Sequence, residues 1–359
     1  MKKMLSMAAI AALISSSVVA NELSEALKNG TVGADVTLYT ERTNDSNNAD
    51  SGYTNGSLGL GYETGEYKGF KLSAGFRANS DFAEVEDGDF GGDDTKALLH
   101  TANISYTSKY VDFILGRQEI DLEWMSDFHE AYVGVFKPMD TLTIVAGYSD
   151  KIAVADVDAE LEDFSKFNGS DGAYVLDAKY EGLKGLVLNT YYYSANNIAD
   201  WYGAKVDYDT DMFGATAHYA SSNEDVAGVD DGSILHVEAR GTFADFALNV
   251  GYITTDSDTG AGSMDSVGEN INPFEDGDKT YDSDANTYYI GAGYTIAGVE
   301  LGALYGQSTY GTTDDKWKEF NFSVDYGVTD ELSLGALYVN VDDTSDEYNR
   351  FSFTAAYAF

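Results

Sequence analysis

Phe70-Lys71-Leu72-Ser73-Ala74-Gly75-Phe76-Arg77-Ala78-Asn79 alternates without a break between apolar or small residues and polar ones. Successive side chains of an extended chain point to opposite faces. Phe70, Leu72, Ala74, Phe76 and Ala78 therefore share one face, and Lys71, Ser73, Gly75, Arg77 and Asn79 the other. Such a strand separates an apolar environment from a wet one.

The same alternation returns to the end of the chain. Tyr202, Ala204, Val206 and Tyr208 alternate with Gly203, Lys205 and Asp207, and Leu235, Val237 and Ala239 with His236, Glu238 and Arg240. Phe351, Phe353, Ala355, Tyr357 and Phe359 alternate with Arg350, Ser352, Thr354, Ala356 and Ala358. Eighteen such segments are counted, at 30–41, 55–64, 70–79, 97–107, 110–118, 130–137, 141–149, 173–181, 186–194, 201–208, 212–220, 234–242, 246–254, 286–295, 299–307, 317–326, 332–340 and 349–359. Most have about the 9–11 residues that a tilted strand needs to cross hydrocarbon.

The links alternate as well. Short ones at 65–69, 181–185, 209–211, 244–245 and 327–331 are interleaved with long ones rich in Gly, Asp and Ser, at about 42–54, 80–96, 150–172, 221–233, 255–285, 308–316 and 341–348. The expected fold is all-β: a transmembrane antiparallel β-barrel of about 18 strands, with short periplasmic turns and long external loops. Aromatic residues at both segment ends read as interfacial girdles. They are Tyr106, Tyr180, Tyr208, Phe246, Tyr294 and Tyr326 near short turns, and Tyr39, Tyr148, Tyr219, Tyr252, Tyr288 and Tyr305 near long loops.

Composition removes other classes. Lys2 and Lys3 precede an apolar run at 4–14 and the small-residue site Val18-Val19-Ala20, the order of a secretory signal at 1–20. That leaves a single barrel domain at 21–359. No later run of 18 apolar residues supplies a membrane helix. There is no cysteine, hence no disulfide and no thiol chemistry. The net charge of −40 excludes a generic nucleic-acid or anionic-lipid binder. The hairpins have no fixed repeat period, which argues against a propeller or solenoid.

If the apolar face meets lipid, charges on the other face line the lumen. The pore-wall candidates are Lys71, Arg77, Lys205, His236, Glu238, Arg240 and Arg350. Eighteen strands leave a water-filled channel unless something plugs it. The third external loop differs from the rest: it carries Ile120, Leu122, Trp124, Met125 and Phe128 where the others are Gly- and Asp-rich. An apolar loop needs a surface to bury against. The expectation is a loop near 117–130 folded inward, with Glu119, Asp121, Glu123 and Asp127 at a constriction. Arg117 joins them if a bulge at Gly116 turns it inward; alternation from Val111, Phe113 and Leu115 sends it outward. The competing reading packs this loop on a neighbouring subunit or over the barrel mouth.

The Gly116-Arg117-Gln118 strand end, the acidic-apolar third loop with Trp124, the eighteen strands, the export signal and the terminal Phe359 together resemble the campylobacterial major outer-membrane porins and their OprD-like relatives. The resemblance spans the mature chain in architecture and 116–131 in motif. It implies a Gram-negative outer-membrane porin: a homotrimeric channel with an inward third loop, passing ions and small hydrophilic solutes. It also implies Phe359 as an assembly signal for the barrel-assembly machinery, and outer-membrane lipid and lipopolysaccharide as surroundings. Acids at a constriction favour cations, so weak cation selectivity is expected.

No cofactor is expected. Glu86, Asp87 and Asp89, and Glu275, Asp276 and Asp278, offer the oxygen ligands that Ca2+ takes, but neither set continues as an EF-hand, and solvated loop acids are the commoner reading. Nor is an enzyme: His100, His129, His218 and His236 lie in separate segments with no local nucleophile or acid motif. The alternative function is a surface adhesin or structural barrel whose acidic loops bind a partner or divalent cations.

Overall fold

The structure, a computed structural model, describes residues 17–91, 96–170, 172–266, 271–277, 279–344 and 347–359. Among these, nineteen strands form one sheet. The first nine are β1 (Thr31–Asp45), β2 (Ser51–Glu63), β3 (Phe70–Glu84), β4 (Ala97–Thr107), β5 (Val111–Glu119), β6 (Phe128–Met139), β7 (Leu142–Val154), β8 (Glu162–Lys166) and β9 (Ala173–Leu183). They continue as β10 (Leu186–Ala195), β11 (Ala199–Asp209), β12 (Phe213–Glu224), β13 (Ser233–Phe243), β14 (Phe246–Thr255), β15 (Asn286–Ile296), β16 (Val299–Tyr310), β17 (Asp315–Gly327), β18 (Leu332–Asp343) and β19 (Glu347–Ala358).

Neighbours in sequence pair antiparallel, and β1 pairs with both β2 and β19, which closes the sheet. The short β8 is a branch on one end of β7, while β7 itself pairs with β9 from Leu142↔Tyr180 to Ser149↔Ala173. Nineteen strands less this branch leave eighteen in the wall, one for each alternating segment.

The strands run past the expected ends on the long-loop side. β1 reaches Asp45, β3 Glu84 and β12 Glu224. Lipid enforces alternation only across the hydrocarbon, whereas the ladder bonds continue beyond it; Glu41↔Ser352 and Arg42↔Phe351 pair in ordinary register. The 42–54 link accordingly shrinks to 46–50, and β10 and β11 are joined by 196–198 alone.

Burial is inverted relative to a water-soluble fold. Leu58, Leu60, Phe70, Leu72, Leu176, Val250 and Ile290 are exposed on the outer face, while Asn55, Ser57, Asn79, Asp177, Thr216 and His218 are buried inside. Girdle rings pair across strands: Phe70 with Tyr106 and Phe246 with Tyr294 at the short-turn end, Tyr148 with Tyr174 and Tyr252 with Tyr288 at the other. Tyr39 is a correction to the expected girdle. Val36 and Leu38 hold the outer row of β1, so Tyr39 falls on the inner one, buried and donating to Glu41 at 2.8 Å.

Of the expected export signal, residues 1–16 lie outside the described residues. Helix α1 (Ser17–Lys28) lies at the short-turn end, where Gly65 N–H donates to Ala26 O at 2.8 Å and Lys68 pairs with Glu22 at 3.8 Å. At the opposite end the lumen holds the largest apolar core. Ile120, Trp124 and Met125 pack there with Tyr191, Tyr193, Trp201, Ile253, Met264 and Ile271.

Because the outer face meets lipid, Leu58→Arg should cost about 2–4 kcal/mol near mid-membrane. The lumen substitution Ser323→Arg should leave stability within about 0.5 kcal/mol. Urea unfolding in lipid vesicles compares the two.

Candidate pore constriction

The turn 120–127 that joins β5 and β6 closes on itself. Ile120 N–H donates to Asp127 O at 2.9 Å, and Leu122 and Met125 exchange backbone bonds at 2.8 and 3.2 Å. Asp127 takes the left-handed conformation (φ 73°) that turns the chain back. Trp124 and Met125 are then driven inward and fully buried. The Trp124 indole donates to the Tyr191 hydroxyl at 2.7 Å, and that hydroxyl lies 2.7 Å from His218 Nε2. Glu123 meets Lys205 Nζ at 2.9 Å. Tyr191, Lys205 and His218 stand on β10, β11 and β12, beyond β7 and β9 from the turn. The third loop therefore crosses into the lumen.

Two further loops join it. In the loop after β7, residues 156–159 lie against the inner faces of β2 and β3. Asn55 Nδ2 donates to Val157 O at 2.8 Å, and Asn79 Nδ2 donates to Asp156 O and Ala159 O at 2.8 and 2.7 Å. Loop 256–285 docks through its acidic tip. The backbone N–H groups of Glu275 and Asp276 donate to the fully buried Glu319 at 2.8 and 3.2 Å, and Trp317 Nε1 donates to the same carboxylate at 3.0 Å. Asp276 also accepts from Tyr348 at 3.1 Å and pairs closely with Arg350, which reaches Glu41 at 3.4 Å. Glu275 is left facing open space.

That space is a cavity of about 640 Å³, bounded at the loop side by Tyr39, Asp158, Glu275 and Arg350 and running down past Glu300 and Asp325. Four carboxylates line it against one guanidinium. Every cation expected on the wall is matched by acid. Lys71 pairs with Glu63 at 2.6 Å, Arg77 with Asp35 at 2.9 Å, and Arg240 with Glu238 and Asp209 at 2.9 and 3.1 Å. His236 Nε2 lies 2.7 Å from the Tyr289 hydroxyl, which donates to Glu238 at 2.9 Å.

The third-loop candidates divide. Glu123 joins the lumen network and Asp127 is half-buried beside Ser126 (3.3 Å), whereas Glu119 and Asp121 are exposed away from it. Arg117 stands apart. The β4–β5 and β5–β6 registers run unbroken through Gly116 despite its φ of 121°, so no bulge inverts the face. Arg117 keeps the outward row of Phe113 and Leu115 and pairs with Glu130 at 3.0 Å. The Ca2+ candidates are drawn elsewhere: Asp89 accepts backbone N–H groups from Gly52 and Glu86 at 2.8 and 2.9 Å, and Asp276 belongs to Arg350. Glu86 and Asp87 are exposed on their loop, and Asp278 lies outside the described residues. Phe359 is exposed and exchanges backbone bonds with Ala34.

The sequence reading missed loops 155–172 and 256–285 as inward elements. The signal was the same as in the third loop, apolar residues within an acidic link: Leu161 and Phe167 in one, Met264, Ile271, Phe274 and Tyr281 in the other.

A profile of the Gram-negative porins matches residues 6–358. The chain belongs to the Gram-negative porin family. No curated protein matches its sequence. Among solved structures, the porin shares its fold with Acinetobacter baumannii OccAB2 (TM-score 0.79, 15% identity, covering 93% of this chain and 99% of that one). Pseudomonas aeruginosa OpdO is similar (0.77, 13%, 94% and 99%), as is Pseudomonas aeruginosa OpdK with vanillate (0.76, 12%, 93% and 99%). The OprD-like resemblance expected from the sequence holds for the fold. The porin is an outer-membrane channel for small solutes and not an enzyme.

Two outcomes test the loop geometry. Tyr191→Phe removes the acceptor of Trp124 and the contact with His218, and should loosen the third loop by about 1–2 kcal/mol, seen as added open-channel current noise. Burial holds the Asp127 carboxyl above its ordinary range; burial, then the charges of Asp127 and Asp158, do the same to Asp156, which keeps solvent access. A raised folded pKa means that the stabilising contribution is complete below the ordinary carboxylate pKa and is lost as pH rises through the raised value. The noise should therefore fall as pH is lowered through the raised carboxylate range, and Asp127→Asn should flatten that dependence.

Proposed function

We propose that this porin passes small hydrophilic solutes by passive diffusion with a preference for cations. One observation carries the reading: the wall cations are neutralised in pairs, while the open cavity presents four carboxylates to one guanidinium. Rings of carboxylate favour cations, and low-dielectric walls focus their field. The selectivity set is then Glu275 and Asp158, opposed by Arg350, with Glu123 and Asp127 shaping the loops above. OpdK is a structure with vanillate, an anion; an anion entering this cavity meets a field of opposing sign. A homotrimer, and Phe359 as the signal by which the barrel itself is assembled, are what the resemblance implies, and both fit the porin family.

The test is the zero-current potential in a planar bilayer across a KCl gradient. The sign expected is that of K+ preference. Glu275→Gln with Asp158→Asn should lower the K+/Cl− permeability ratio several-fold, and Glu119→Gln with Asp121→Asn should change it little. Anion preference in the unmodified protein would overturn the reading.

A further inference from the structure

Beside the main cavity lies a second one of about 310 Å³, and Glu275, Ser323 and Leu337 belong to both. It rests on the inner wall from β14 to β17. Asn249, Gly291, Leu304 and Asn321 stand opposite one another in register, one row across these four strands. One inward position closer to the short turns, Gly302 pairs with Gly293 on one side and Ser323 on the other. Pro273 and Glu275, from the tip of loop 256–285, close the long-loop side.

Among the described residues of this lining, the polar side chains are Asn249, Glu275, Asn321 and Ser323. Both amides are turned by a carboxylate behind them. Asn249 Nδ2 donates to Glu238 at 2.9 Å, which leaves its carbonyl over Gly291, where a Cβ would collide with it. The Asn321 amide donates to Glu319, and its carbonyl has no partner among the described residues, although the residue is only 6% exposed. A buried acceptor without a donor is costly. Glu275 adds a carboxylate, and Ser323 a hydroxyl on the same strand face as Asn321. The side chains thus offer acceptors and no N–H donor. An ammonium carries three N–H donors and no acceptor, and hydrogen bonds with an ionised partner are the stronger kind. A carboxylate finds no such reception: Arg350 lines the neighbouring cavity and is committed to Asp276 and Glu41.

We propose that this cavity is a solute subsite for primary alkylammonium ions that carry no carboxylate. Glu275, Asn321 and Ser323 take the ammonium, and the alkyl body lies across Gly302 against Leu304 and Leu337. The proposal rests on the cation preference above for the charge it accepts. It adds a requirement that this preference does not contain, for N–H donors on the solute.

The experiment records K+ current through single channels of the full-length protein as butylammonium, butyltrimethylammonium or 4-aminobutyrate is added. Butylammonium should block at the lowest concentration. Butyltrimethylammonium keeps the charge and lacks the donors, and 4-aminobutyrate keeps the donors and adds a carboxylate; each should need about tenfold more. Asn321→Leu should raise the half-blocking concentration of butylammonium about tenfold, and Ser323→Ala about threefold. Neither removes a charge, so the K+/Cl− permeability ratio should hold. Thr354→Val, on the wall of the main cavity alone, should leave the block as it is. Equal block by butyltrimethylammonium or by 4-aminobutyrate, or a half-blocking concentration indifferent to both substitutions, would overturn the subsite, and a K+-signed zero-current potential would still leave the conduction reading standing. Donor-dependent block in a channel that prefers anions would do the reverse. If Asn321→Leu does not fold, Ser323→Ala decides: an unmoved half-blocking concentration sinks the site.

Discussion

Hydrocarbon offers the backbone no hydrogen-bond partner, so a sheet that crosses it must have no edge. The seam between β1 and β19 meets that demand. It runs from Asp35↔Ala358 to Asp45↔Tyr348, and Ala34 exchanges both of its backbone bonds with Phe359, at 3.0 and 2.9 Å. Closure fixes the parity of every strand at once. Once Val36 and Leu38 face lipid, Tyr39 must face the lumen, and each neighbour's faces follow through the ladder. The same rule holds Arg117 on the outer face, because nothing in the β5 registers shifts it.

A closed wall of eighteen strands encloses more space than side chains can fill. Three loops occupy it, and they bring apolar residues with them, so the molecule's main hydrophobic core lies inside its own channel. Polar groups carried in with the loops need partners there, since an unpaired buried one is costly. Glu319 shows how that is met. A fully buried carboxylate is held by three N–H donors, two from the tip of loop 256–285 and one from Trp317. Without that loop it would keep only the Trp317 donor of those three, so strand and loop are specified together.

The strands were legible because period two is the direct imprint of two solvents on one chain; all eighteen alternating segments are wall strands. The interior was less legible, and for a physical reason. Loops have no period, so an apolar residue in one declares burial without saying against what. Trp124 within a short acidic link declared it loudly, whereas Met264, Ile271, Phe274 and Tyr281 were diluted in a long one. Arg117 shows the converse: alternation placed it correctly, and the glycine beside it, although in a conformation suited to a bulge, left the register intact. The pairing of Arg350 with Asp276 depends on a loop path that no local pattern encodes.

The pairing also changes what the lumen cations mean. Read as a list, Arg77, Lys205, Arg240 and Arg350 look like contacts for an anionic solute. In place, Lys205 grips Glu123 of the third loop and Arg350 grips Asp276 of loop 256–285. Each is a fastening between wall and loop, and a partly buried pair resists separation because breaking it strands one charge. A passing solute meets what the fastenings leave over. In this channel the remainder is carboxylate, since Glu275 is turned to the cavity by the same backbone contacts that commit Asp276 to the wall. Selectivity and loop anchoring thus come from adjacent residues of one acidic tip, and the sign of the field follows from which of the two the wall has neutralised.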